Sequence, residues 1–202
     1  MLKLLCVFVF AAAAVARNFN SVETRVADSV YNRTSERESK HFSVTQESNM
    51  PRYFICNCEN IDISYESGLK ILQNYADYEN QFRYILRSQN TAGDNWFFIL
   101  GIPLVKTWLW GDVSEDISAK YAKISFVQTR SEVNYSDSVK SFVVIDFEKL
   151  VLQWNLIKIN ETTSRFCLTG MVQPQKPVPQ WLVRTALKKV VPRTLKNIKK
   201  QK

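Results

Sequence analysis

Histidine is nearly missing from this chain: His41 is the only one in 202 residues. It falls at the start of an N-terminal strand, so a histidine-based triad and a multi-histidine metal site are both excluded. Glycine is scarce as well, with five residues. None forms a G-x-S-x-G elbow, a P-loop or a G-x-G-x-x-G turn, which removes the usual phosphate cradles and nucleotide-cofactor fingerprints. No cofactor and no metal are expected. No apolar run reaches the roughly 20 residues that a membrane-spanning helix needs. Acidic residues are outnumbered, 19 against 27 basic ones, giving a net charge of +8 and a pI of about 9.3. Such a balance favours acidic partners, either nucleic acid or an anionic lipid surface, although a solvated surface explains it equally. No nucleic-acid-binding motif is present, so nucleic acid is not an expected partner.

What is present reads as globular, with 46% hydrophobic and 12% aromatic residues. The opening "MLKLLCVFVFAAAAVARNF" has one cation, Lys3, then an apolar run ending in Ala14-Val15-Ala16. That is the layout of a secretory signal peptide cut after Ala16, the alternative being a membrane anchor. Cleavage would leave a secreted or periplasmic protein of charge +7, the +8 less Lys3. It would also leave Cys56, Cys58 and Cys167 in a compartment that permits disulfides. Cys56 and Cys58 share one face of a strand, so at most one of them bridges Cys167. Buried thiols without a bridge are the other reading. Sequons stand at Asn32, Asn134 and Asn160, glycan acceptors in a eukaryotic source.

Along the chain, residues 17–40 carry Phe19, Val22, Val26 and Val30 at helical spacing, which predicts a short amphipathic helix or linker ahead of the domain at 41–202. "HFSVTQ" and "RYFICNCENI" alternate as paired strands. The period then changes: Ser64 caps a helix with Glu66 in its first turn, and Leu69, Leu72, Tyr75 and Ala76 mark its buried stripe. A second short helix is predicted through Phe82, Ile85 and Leu86. From Asn95 onward, five long runs with turn-rich connections imply an antiparallel meander. Its inner face collects Ala122, Ile124 and Phe126, then Leu152, Trp154 and Leu156, then Phe166 and Leu168.

The chain closes with "KPVPQWLVRTALKKVVPRTLKNIKKQK". At 100° per residue, Val183, Ala186, Leu187, Val190, Val191, Thr194 and Ile198 fall on one arc, and Lys188, Lys189, Lys196 and Lys199 on the other. Pro179 suits the first turn, whereas Pro192 is expected to bend or interrupt the helix. A helix with a broad apolar face, following a curved sheet with an apolar concave face, lies across that sheet.

Two segments carry a family likeness. "IDISYESGLKILQNYADYENQFRYI" and "PVPQWLVRTALKKVVPRTLKNIKK" resemble the START-like group of the helix-grip superfamily, which includes the steroidogenic-acute-regulatory-related lipid transfer domains, polyketide cyclase-like proteins and coenzyme-Q-binding proteins. The closing segment is similar to that group's last helix, with Arg184 where asparagine is commoner. The resemblance covers about residues 41–202. It implies an α+β helix-grip fold: a curved antiparallel sheet wrapped around a long C-terminal helix, with two short helices after the first strands. It also implies a cavity for a lipid or other apolar molecule.

On this reading the cavity floor is Phe126, Trp154, Phe166 and Leu168, and the lid is Val183, Ala186, Leu187 and Val190. Asp146 and Arg165, charged residues within apolar runs, are the candidate polar contacts to a ligand, the alternative being that both point outward. Trp108 and Trp110 share a face with Lys106 and suit a membrane interface if exposed. Lys188, Lys189, Arg193, Lys196, Lys199 and Lys200 are the candidate contacts to an anionic bilayer. The expected function is an exported, non-enzymatic binder or carrier of an apolar molecule. The rival readings are a cyclase- or hydrolase-like enzyme using Asp146 or Arg165, and a packed interaction module with no cavity.

Overall fold

The computed structural model of the protein describes residues 40–45, 51–102, 105–130 and 143–201. The leader expected over 1–16, the segment 17–39 and the sequons at Asn32 and Asn134 lie outside the described residues.

The first alternating runs form β1 (Lys40–Thr45) and β2 (Arg52–Ile61), paired antiparallel. Helix α1 (Tyr65–Gln73) starts where the sequence places it, the Ser64 side chain accepting a hydrogen bond from the Ser67 N–H at 3.2 Å. Its buried face is Tyr65, Gly68 and Leu72, with Leu69 and Ile71 partly covered, whereas Ala76 is exposed. A single 3-10 turn (Tyr75–Asp77) and the short α2 (Tyr78–Gln81) follow. Then come β3 (Ile85–Ala92), β4 (Asn95–Ile102), β5 (Val105–Ile117), β6 (Tyr121–Arg130), β7 (Val143–Val144), β8 (Phe147–Lys158) and β9 (Ser164–Pro174), and α3 (Gln180–Ile198) ends the chain.

Among the described residues the strands make one curved sheet in the order β1-β2-β9-β8-β6-β5-β4-β3, every neighbour in that path antiparallel. Register fixes the concave face in rows. Leu156 stands between Ala122 and Phe166, Trp154 between Ile124 and Leu168, and Leu152 between Phe126 and Gly170. Because side chains alternate across a strand, these rows share one face, and they join the main apolar core. The opposite face is buried along its middle too: Phe54, Val127, Val151 and Met171 cluster there beside Cys56, Cys58 and Cys167. Cys58 lies directly across from Cys167 in the β2–β9 register, and these two form the disulfide, while Cys56 is a buried thiol opposite Thr169. Register therefore selects between the two pairings that composition leaves open.

Four expectations change. The second helix stops at Gln81; Phe82 is extended, and Ile85 and Leu86 open β3 rather than continuing a helix. β3 is an edge strand whose residues are almost all exposed or half-exposed, so it has no buried face to write an alternating pattern into its sequence. The long run from Asn95 is two strands, with Ile102 paired to Val105 and only residues 103 and 104 between them. Finally, β7 pairs with β5 in parallel, a departure from the pure meander. In α3 the helix is continuous through Pro192, so the expected interruption does not occur, and Pro179 is the capping residue just before the first turn.

Candidate functional site

A cavity of about 200 Å³ lies between α3 and the concave face of the sheet. Val183, Val190 and Thr194 form its ceiling, Phe126, Trp154 and Leu168 part of its floor. One wall is aromatic. Tyr78 meets Phe82 edge-on at 4.8 Å between centroids and stacks on Phe98 at 6.0 Å; Phe82 in turn stacks on Trp154 at 6.2 Å, and Phe98 meets Phe126 edge-on at 5.3 Å. These offset and edge-on contacts are the arrangements aromatic quadrupoles favour. Gly111 lies on β5 opposite a bulge in β6, where a Cβ would fall 2.3 Å from the Val127 carbonyl oxygen and 2.6 Å from the Phe126 ring. Only glycine allows the strand to approach there, and Phe126 is held against the floor by it.

Among the described residues, the lining carries no Asp, Glu, Lys, Arg or His side chain. Its polar groups are almost all engaged by the protein. The Tyr78 hydroxyl donates to the Leu72 carbonyl and the Tyr75 hydroxyl to Glu115, whose other oxygen accepts from Gln73 at 2.7 Å. Burial, then the Glu115 hydrogen bond and charge, push the Tyr75 phenol far above its usual range; burial, then Glu115, does the same to Tyr78. Both therefore remain protonated donors, since the charged form is disfavoured in a dry, acid-flanked setting. The Tyr84 oxygen accepts from Arg193, and the Thr194 hydroxyl donates to the Val190 carbonyl at 2.8 Å. The Thr107 hydroxyl, buried and on the lining, has no partner.

The sequence-selected residues distribute as follows. Phe126, Trp154, Leu168, Val183 and Val190 come together around the cavity. Phe166 does not: it is fully buried beneath α1, where it packs with Leu156 against Gly68. The side chains of Ala186 and Leu187 lie outside the described residues. Arg165 faces the other side of the sheet, its Nε donating to Asn60 Oδ1 at 2.9 Å. Asp146 stands between Ile145 and Phe147, both on the lining, and is not part of it. Neither charged residue is on the lining: strand alternation turns Arg165 to the outer face of β9, and Asp146 lies in the connection between β7 and β8.

On α3, Lys188, Lys189 and Lys196 are exposed, as are Trp181, at 68%, and Lys200 just past the helix end. Arg193 and Lys199 point elsewhere: Arg193 bonds Tyr84 and covers its ring, and Lys199 pairs with Glu59 at 2.8 Å. Trp108 and Trp110 are half-buried on the outer face of β5, Trp110 against Phe97 at 4.3 Å. The lining residues not anticipated from sequence include Tyr78, Phe82, Phe98, Thr107 and Leu109. For the last two a signal existed, the alternation of Val105, Thr107, Leu109 and Val113 in β5.

No family model matches the sequence, and no curated protein matches it. Solved structures do. Human StAR-related lipid transfer protein 5 superposes with a TM-score of 0.60 at 9% identity, over 89% of this chain and 96% of that one. The STAR-related lipid transfer protein from Xanthomonas axonopodis gives 0.60 at 10% identity over 79% and 97%. A START superfamily protein from Mycobacterium smegmatis gives 0.59 at 12% identity over 73% and 95%. The chain has the START-like helix-grip fold.

Proposed function

We propose that this protein binds and carries a lipid or comparable apolar small molecule in the cavity beneath α3. One observation carries the reading: the described residues that line the cavity are mostly apolar, and none of them is charged. Burial of apolar surface contributes about 25 cal/mol per Å², so a ligand without covalent chemistry is held by desolvation alone. The likeness to proteins named for lipid transfer supports the same reading. We also propose export, on the signal-like opening of the sequence; the Cys58–Cys167 bridge suits an oxidising compartment. The exposed Lys188, Lys189 and Lys196 of α3, with Lys200 just past its end and Trp181 in its first turn, would then meet an anionic bilayer, each near-surface cation adding about 1 kcal/mol.

Native mass spectrometry of protein purified from its own host is the test. A bound apolar compound is expected. An empty protein that also shows no affinity across a panel of lipids would overturn the reading. For the membrane surface, flotation with anionic vesicles should fall steeply as salt is raised.

A further inference from the structure

The cavity has one polar group left over. Thr107 is 7% exposed, it lies on the lining, and its Oγ1 has no hydrogen-bond partner. The other hydroxyls on the described lining each have a partner in the protein: those of Tyr75, Tyr78 and Thr194 donate to Glu115, to the Leu72 carbonyl and to the Val190 carbonyl, and the Tyr84 oxygen accepts from Arg193. Thr107 cannot turn away. It is the third residue of the alternating strand β5, with Val105 and Leu109 on the same inward face and Leu100 opposite it on β4. A buried hydroxyl without a partner costs stability, and such groups in folded proteins are normally satisfied. A valine would fill nearly the same volume without that cost.

Resting on the cavity reading above, we infer that Thr107 is the specificity-determining contact of the site, and that the ligand is an uncharged, slender amphiphile bearing one hydrogen-bonding oxygen that meets Thr107 Oγ1. Three observations support this. The single unpartnered hydroxyl matches one polar atom on the ligand. The absence of a charged side chain among the described lining residues disfavours a carboxylate or phosphate, which would be buried there without a counter-ion. The volume of about 200 Å³ is below the roughly 300–1,000 Å³ of sites for drug-sized ligands, so it suits one chain or one compact ring system rather than a two-chain lipid.

The probes are 1-decanol, decane and decanoate, matched in chain length and compared by competition against tritiated 1-decanol at neutral pH. The full-length protein is expected to bind 1-decanol about tenfold more tightly than decane, with decanoate weakest, since a site that hydrogen-bonds an oxygen rejects the analogue lacking it. Thr107→Val should erase the gap by weakening 1-decanol alone, Thr107→Ser should keep it, and the melting temperature of ligand-free Thr107→Val should equal or exceed the parent's. Equal binding of decanol and decane by the parent, strongest binding of decanoate, or a gap that survives in Thr107→Val would overturn this inference while leaving the cavity reading standing. If none of the three probes binds, the cavity reading itself falls and this inference with it.

Discussion

The space beneath α3 is solid at one end and hollow at the other, although the same strands run under both. Toward the helix C-terminus, Phe166, Leu156, Leu195 and Ile198 are all fully buried, and the backbone of α1 comes so near that a Cβ on Gly68 would stand 2.7 Å from Phe166 Cζ. Lys199 pins that end to Glu59, which lies across from Phe166 in the sheet. Beneath Val183, Val190 and Thr194 the space stays open. The difference lies in what descends from the helices. Leucine and isoleucine on α3, with α1 brought close at Gly68, close one end; among the described side chains, the short β-branched Val183, Val190 and Thr194 leave the other unfilled. Alternation decides which side chains face inward, but the volume they leave depends on their reach and on the separation of backbones, because interiors otherwise pack to near-crystalline density.

The largest expected effect is at the solid end. Phe166→Ala removes a fully buried ring among well-packed neighbours and should cost about 3–5 kcal/mol, a fall on the order of 10 °C in melting temperature. Affinity for an apolar probe, measured on the folded variant, should barely change. A comparable loss of binding would show that the two ends act as one. Next is removal of the Cys58–Cys167 bridge by reduction or by a double alanine replacement. It joins residues 109 positions apart, so its loss should cost about 2–4 kcal/mol in chemical denaturation.

The same contrast explains what was legible beforehand. The concave rows around Ala122, Ile124, Leu152, Trp154 and Leu168 could be read because a half-buried strand writes its burial as a period of two. So could the helical stripe bearing Val183, Val190 and Thr194. β3 could not, because both its faces are largely exposed and its strand character comes from backbone pairing with β4. Phe166 and Trp154 look alike in a sequence, each an aromatic on the inner face. Only the approach of α1 through Gly68 makes one of them packing and leaves the other on the cavity. Thr107 was hidden by its neighbours: in "VKTWLWGDV" the tryptophans draw attention, yet they occupy the outer face, and the smaller residues between them line the site.

A smaller effect on stability, with a large one on binding, is expected from filling the hollow end. Val190→Phe adds volume where there is space to receive it. The melting temperature should move by only a few degrees, since overpacking costs of roughly 1–3 kcal/mol apply to cores already full. Affinity for 1-decanol should drop at least tenfold. A variant that keeps its affinity would place the ligand outside this cavity.

The least effect belongs to the ion pair at the solid end. Lys199 is 47% exposed and Glu59 22%, so solvent screens their attraction, and Glu59→Gln should change stability by about 0–1 kcal/mol in thermal or chemical unfolding. Leu195 and Ile198, both fully buried on the same turn of α3, are expected to hold that end down without it. The two contributions separate by salt. If closure rests on buried apolar area, raising ionic strength leaves the protein as stable as before. If instead Glu59→Gln is strongly destabilising and added salt reproduces the loss, a surface charge closes the solid end, and the contrast with the hollow end is one of electrostatics and not of side-chain reach.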